Sequence, residues 1–310
     1  MNSNKIIYIP TEETYKLNKE NVELVTKINP GTYQVSKDMN GTHYLTKIMF
    51  KSDQLIRLPN TIMDKISQEI ETFWSKDTQS KFKKYGLVYK RGIILHGLPG
   101  TGKTCSIVQI SLDVVEKGGI VLFNPNPKEL SVVAKFVREL QPDVPILVIW
   151  EEFENTIVGN PHALSLLDGE IQIDNVVYLG TTNYFTRLPA NIINRPGRFA
   201  SIYHADFPNA EVRKIYLNHK LVGDDKKQID QIVDLTEGMS IDQLKDIIVS
   251  VFCLDIPLKD AANKIKMMTN SEIKHTSDFS DEEDFFEDET EELPSKAGVS
   301  VAYSLRPSKA

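Results

Sequence analysis

Apolar residues recur along this chain with two periods, and the change from one to the other divides it. From residue 60 a helical period places Ile62, Met63, Ile66, Ile70, Phe73 and Trp74 on one face. Short, nearly continuous apolar runs follow at 92–96, 119–123, 145–150, 176–181 and 200–204, with helical patterns such as 103–115 between them. Strands apolar on both faces that alternate with helices predict an α/β fold, a mainly parallel sheet covered by helices. After Pro208 the strand pattern stops. Residues 209–220, 226–236, 240–254 and 257–268 read as helices of a small all-helical unit, the third opened by the capping box Ser240-Ile241-Asp242-Gln243. Ahead of these, 32–36 and 43–48 read as strands joined across Asn40-Gly41, a hairpin signal. The expected organisation is an N-terminal region over 1–58 with that hairpin and no readable role, an α/β domain over 59–206, a helical unit over 207–268 and a tail over 269–310. No internal repeat is visible.

Composition adds little until charge is located. The 310 residues are 41% hydrophobic, ordinary for a globular chain. No apolar run approaches the ~18 residues of a membrane span, and the start Met1-Asn2-Ser3-Asn4-Lys5 has no signal-peptide core, so the expectation is a cytoplasmic protein without a membrane span. The two cysteines, Cys105 and Cys253, cannot form a disulfide framework or a metal site alone; their thiols read as small packed hydrophobes with no chemical role. Residues 278–292 hold ten acids and no base, so that without them the net charge of −7 becomes +3. That run cannot bury enough apolar surface to offset its self-repulsion and reads as a disordered solvating tail, with Phe279, Phe285 and Phe286 leaving open a linear motif for a partner. A body this close to neutral, with no recognisable nucleic-acid module, argues against nucleic acid as partner, since such sites normally show a clustered basic face.

The chemistry is concentrated on one edge of the expected sheet. Gly97-Leu98-Pro99-Gly100-Thr101-Gly102-Lys103-Thr104 spells the phosphate-cradling loop G-x-x-x-x-G-K-[ST], between a strand and a helix. This predicts nucleoside triphosphate binding along Gly97 to Thr104 and the following Cys105, with Lys103 neutralising β/γ-phosphate charge and the Thr104 hydroxyl ligating Mg²⁺. The strand 145–150 ends in Glu151-Glu152, which puts two carboxylates at the C-terminal sheet edge where ligands bind. Glu151 is expected to serve the metal and Glu152 to polarise the attacking water. Asn183, at the end of the next strand, would hold that water. Arg195 and Arg198 flank a turn, and suit stabilising a neighbour's γ-phosphate in trans through a bidentate guanidinium.

With these residues in place the chain resembles the AAA subfamily of AAA+ ATPases over about residues 60 to 265. The resemblance rests on six motifs in order: Gly97 to Thr104 (Walker A), Leu147 to Glu152 (Walker B), Leu166-Leu167-Asp168-Gly169, Thr182-Asn183 (sensor 1), Arg195-Pro196-Gly197-Arg198 (arginine fingers) and Glu237-Gly238-Met239-Ser240. It implies a P-loop NTPase fold with a helical lid, ATP and Mg²⁺ as ligands, ATP hydrolysis, and a homo-oligomeric ring, expected to be a hexamer, with sites between subunits. Within the subfamily, Tyr89-Lys90-Arg91-Gly92 and the short segment from the second strand to Walker B are most similar to ATPases that assemble mitochondrial respiratory complexes, without their membrane anchor. Glu151 stands where the subfamily has Asp. Phe123-Asn124-Pro125-Asn126-Pro127-Lys128 leads directly into a helix where threading relatives carry a pore loop, and Ile241-Asp242 replaces Gly-Ala after the lid serine. The expected function is a ring ATPase that remodels or assembles an unidentified protein partner; the alternatives are a slow nucleotide-gated scaffold and a nucleic-acid motor or loader.

Overall fold

The computed structural model describes residues 5–9, 14–18, 27–50, 58, 61–168, 171, 173–193 and 197–278, the side chains of 5–9, 14–18, 61 and 269–278 excepted. Arg195 and the acidic run beyond Asp278 lie outside the described residues. The strands are β1 (Lys5–Ile9), β2 (Thr14–Asn18), β3 (Gly31–Lys37), β4 (His43–Lys47), β5 (Lys90–His96), β6 (Ile120–Phe123), β7 (Ile146–Trp150), β8 (Val176–Thr182) and β9 (Ser201–His204). The helices are α1 (Thr61–Phe73), α2 (Lys76–Lys84), α3 (Lys103–Glu116), α4 (Pro127–Leu140), α5 (Glu154–Ile157), α6 (Pro161–Asp168), α7 (Ala190–Ile193), α8 (Ala210–Lys220), α9 (Ile229–Leu235), α10 (Ile241–Ile248) and α11 (Leu258–Asp278).

All nine strands join one sheet in the order β1-β2-β4-β3-β6-β7-β8-β5-β9. Every pairing from β3 to β9 is parallel, while β1, β2 and β4 add antiparallel strands at one end. The expected α/β architecture is what the chain adopts. Alternate strand residues feed two cores. Ile93, Leu95, Val121, Leu147, Ile149, Val177 and Leu179 face α1 and α3, whose Ile66, Ile70, Ile107 and Ile110 meet them. Ile94, Leu122, Val148, Trp150, Val176 and Tyr178 face the opposite way, onto Leu130, Val133 and Val137 of α4 and Leu166 of α6. Covering both faces is why these strands read as unbroken apolar runs.

The N-terminal hairpin continues the sheet and so shares its core. Gly31, Thr32 and Tyr33 of β3 pair in parallel with Ile120, Val121 and Leu122 of β6. Ile28, Tyr33 and Leu45 are completely buried in the α4-side core, each contributing roughly 1.5–3 kcal/mol of burial. Polar ties reinforce the join: Ile28 N–H donates to Gln141 Oε1 at 2.7 Å, and His43 and Lys37 both reach Glu129 of α4. The hairpin turn is organised by Asp38, whose Oδ1 accepts from the N–H groups of Asn40 (2.9 Å) and Thr42 (2.8 Å), with Gly41 at φ 84°.

Three segments depart from the expected pattern. Helix α2, Lys-Asp-Thr-Gln-Ser-Lys-Phe-Lys-Lys, carries Phe82 as its only large apolar residue and so has no readable period; its signal lies in Ser75, which caps Thr78 N–H. The predicted helix 240–254 is α10 followed by a π-helical turn over Val249–Cys253. Helix α11 runs to Asp278, ten residues past its expected end, because neither glycine nor proline interrupts Leu258–Asp278. By contacts, Met1–Ala262 is one compact unit and Asn263–Ala310 a second, of which the described part is the remainder of α11. Among the described residues no helix is long and apolar enough to cross a membrane.

Candidate active site

The loop between β5 and α3 lies at the C-terminal edge of the sheet, with the ends of β6, β7 and β8 beside it. Its glycines are required by close approach. A Cβ on Gly97 would stand 2.3 Å from Ala205 O, and one on Gly100, at φ 77°, would stand 2.7 Å from Ser240 Oγ at the start of α10. Ser240 itself is held by the capping box expected for it: its Oγ accepts from Gln243 N–H at 3.1 Å, and Gln243 Oε1 accepts from Ser240 N–H at 2.8 Å. Gly102 begins α3 in the left-handed region without a side-chain cap, so the first backbone N–H groups of α3, including that of Cys105, are left to an anion.

Lys103 is buried, and its ammonium donates to Gly97 O (2.6 Å) and Leu98 O (2.7 Å), which holds the loop closed around it. Burial pushes the Lys103 pKa below its ordinary value, and the carboxylates of Glu154 and then Glu152 oppose that shift. The Thr104 hydroxyl donates to Glu151 Oε1 at 2.8 Å, across 47 residues of sequence. The longer glutamate therefore still reaches the threonine from the end of β7. Glu151 N–H donates to Asn124 Oδ1 at 2.8 Å. Glu152 is held at φ 45°, a conformation that costs a non-glycine residue about 1–3 kcal/mol and that turns it out of the strand direction. Asn155 Nδ2 donates to its Oε2 at 3.4 Å.

Lys103, Thr104, Glu151, Glu152 and Asn183 line one cleft of about 310 Å³, together with Asn124, Thr181 and Thr182. These residues fit a nucleoside triphosphate with Mg²⁺: a loop too close-packed for a Cβ, a buried ammonium, and a hydroxyl paired with a carboxylate.

The chain is similar to known proteins. It is 27% identical over 214 residues to a proteasome-activating nucleotidase of Saccharolobus solfataricus, covering 60% of this chain and 52% of that one. It is 27% identical over 190 residues to the proteasome-activating nucleotidase of Sulfurisphaera tokodaii, covering 54% and 48%. To an AAA ATPase forming ring-shaped complexes from Bifidobacterium dentium it is 26% identical over 200 residues, covering 54% and 36%. The fold is that of an AAA+ P-loop NTPase. The chain spans about half the length, or less, of these curated relatives, and it matches no protein-family model.

Two sequence expectations need correction within this AAA+ fold. The Arg198 guanidinium is engaged within its own chain. It is 4% exposed, makes a bidentate pair with Asp168 (Nε to Oδ1 2.6 Å, Nη2 to Oδ2 2.8 Å), and donates through Nη1 to Asn191 O at 2.6 Å. A turn position read from sequence says where the Cα lies and nothing of which way the guanidinium turns; here α6 supplies a carboxylate in its own chain. Cys105 and Cys253 are exposed rather than packed. Cys105 is on the outer face of α3, while Ile107, Ile110 and Val114 turn inward.

The cleft also holds a residue that no motif marks. Asn124 occupies the same place after β6 that Glu151 occupies after β7 and Asn183 after β8. A polar residue directly after each of β6, β7 and β8 was the available signal. Tyr89-Lys90-Arg91-Gly92, the basis of the finer resemblance, packs the fold. Tyr89 OH donates to Phe73 O, the Lys90 ammonium donates to Leu167 O, Arg91 pairs with Glu69 at 2.5 Å, and a Cβ on Gly92 would stand 2.0 Å from Arg198 O.

Proposed function

We propose that this chain is an AAA+ ATPase, a Mg²⁺-dependent ATP hydrolase that works as a homo-oligomeric, hexameric, cytoplasmic ring and couples the ATP cycle to remodelling or assembling a protein partner. The observation that carries it is the hydrogen bond from Thr104 to Glu151, which joins the phosphate loop to the strand-end carboxylates around a single cleft. Ring assembly and a protein partner are supported by the names of the relatives, and the division into an ATPase domain over 59–206 and a lid over 207–268 by the sequence pattern. The likeness to respiratory-complex assembly ATPases rests on the sequence alone, and its distinguishing run at Tyr89 to Gly92 is occupied with packing.

In this reading the loop N–H groups and Lys103 bind the phosphates. Thr104 and Glu151 would hold Mg²⁺, which when bound offsets phosphate charge. Glu152 accepts the proton of the attacking water, Asn183 orients that water, and Arg195 keeps the role across the subunit interface that Arg198 cannot fill. Replacing the buried ammonium tests the reading at its root. Lys103→Ala is expected to weaken ATP binding at least about tenfold, since a charge-assisted contact is worth ~1.5–3 kcal/mol. A fluorescent ATP analogue titrated into both proteins measures this; equal affinity would remove Lys103, and with it the loop, from nucleotide binding.

A further inference from the structure

A second cavity lies away from the ATP cleft and shares no residue with it. It measures about 420 Å³ and sits between α1, the C-terminal half of α3 and the residue before β7. That volume is in the range of small-molecule sites, about 300–1,000 Å³. Ile70, Ile110, Val114 and Pro145 supply an apolar lining. Two lining residues carry buried polar atoms with no hydrogen-bond partner, Ser67 Oγ and Trp74 Nε1. Each such orphan costs ~1–3 kcal/mol, so two around one apolar hollow are an unmet demand for a partner. The indole N–H can only donate, whereas the hydroxyl can donate or accept.

The rim sets the charge of what enters. Glu71 pairs with Lys117, and Asp113 accepts from Gln109 Nε2 at 3.2 Å. Two carboxylates against one ammonium disfavour an anion, and the apolar lining disfavours a full cation. We infer that this cavity is a second ligand site, for an uncharged small molecule bearing a hydrogen-bond acceptor that takes the Trp74 indole N–H, with Ser67 turning about χ1 to complete the contact. Its occupant would lie against the far end of the helix whose first turn carries Lys103 and Thr104.

The chain has two tryptophans, which gives a direct readout. Trp150 is fully buried with its indole N–H donated to Pro125 O at 2.8 Å, so its ¹⁵N indole resonance is an internal reference. The probe is 4-quinazolinone, a neutral bicycle with a carbonyl acceptor; naphthalene-2-sulfonate, flat but anionic, is the contrast. The expected result is a saturable shift of the Trp74 indole resonance with the quinazolinone, none with the sulfonate, and the same titration in the presence of saturating ATP. Ser67→Leu, which fills the cavity, should weaken binding at least about tenfold with the Trp150 resonance in place. Ser67→Ala, which removes one oxygen, should weaken it about 2- to 10-fold. No shift up to the solubility of the quinazolinone, equal movement of both indoles, competition by ATP, preference for the sulfonate, or unchanged affinity in both Ser67 variants would overturn the site.

Discussion

Glu152→Gln is expected to bind ATP as the unaltered chain does and to release phosphate about 10²–10⁴-fold more slowly, the usual contribution of a general base. The substitution keeps the shape of the side chain and the φ 45° backbone but removes the lone-pair charge that takes a proton from water. It leaves the Thr104–Glu151 pair and the Lys103 contacts untouched, so binding should survive. The neighbouring carboxylates are not interchangeable in this arrangement. Glu151 is committed to the Thr104 hydroxyl, whereas Glu152 has only the weak 3.4 Å contact from Asn155. Phosphate release measured under saturating ATP checks this, and turnover within a few-fold of the unaltered chain would remove Glu152 from the mechanism.

Arg198→Ala is expected to act on folding. Removing one partner of a buried ion pair leaves the other charged and unpaired, at a cost of about 3–5 kcal/mol. Asp168 would lose its bidentate guanidinium partner, with its carboxylate only partly accessible. For a unit of this size the loss corresponds to a melting temperature lower by roughly 6–20 °C. Arg198→Ala combined with Asp168→Ala should recover part of the loss, because the carboxylate that lost its guanidinium is gone and residues in direct contact are coupled. In rings mixed from Arg198→Ala and Lys103→Ala subunits, no activity should return through Arg198. A variant that melts with the unaltered chain yet hydrolyses nothing, and that is rescued by mixing, would restore Arg198 to the subunit interface; thermal denaturation followed by circular dichroism, together with the mixing assay, separates the outcomes.

Those two residues also mark what the sequence makes visible. Strands β5 to β9 are legible because both faces of the sheet are covered, which turns each into an apolar run bounded by polar residues. The glycine pattern of the loop and the paired glutamates after β7 are legible because phosphate binding requires those residue types at those places. The N-terminal hairpin is legible from Asn40-Gly41, but its docking is not: nothing in the local pattern of 31–37 says that its outer neighbour is β6, a pairing set by Ile28, Tyr33 and Leu45 entering the α4-side core. Helix α2 escapes because it is polar on nearly every side. Arg198 was placed correctly and aimed wrongly, since its partner, Asp168, comes from a helix 30 residues earlier. Asn124 escapes because a single asparagine after a strand is ordinarily a turn residue, and only the neighbouring ends of β6, β7 and β8 bring it into one cleft with Glu151 and Asn183.

Hydrolysis, rather than binding alone, separates the proposed ATPase from a nucleotide-gated scaffold, which would share the loop, Lys103 and the proposed ring. Phosphate release from ATP by the unaltered chain, with Mg²⁺ and at a protein concentration where it has assembled, measured alongside the nucleotide that remains bound, is the most direct test. Repeated turnover that leaves ADP and phosphate in solution, and that stops when Mg²⁺ is chelated, is the result expected from Thr104, Glu151 and Glu152 around one cleft. Full occupancy by ATP with no phosphate released would contradict it.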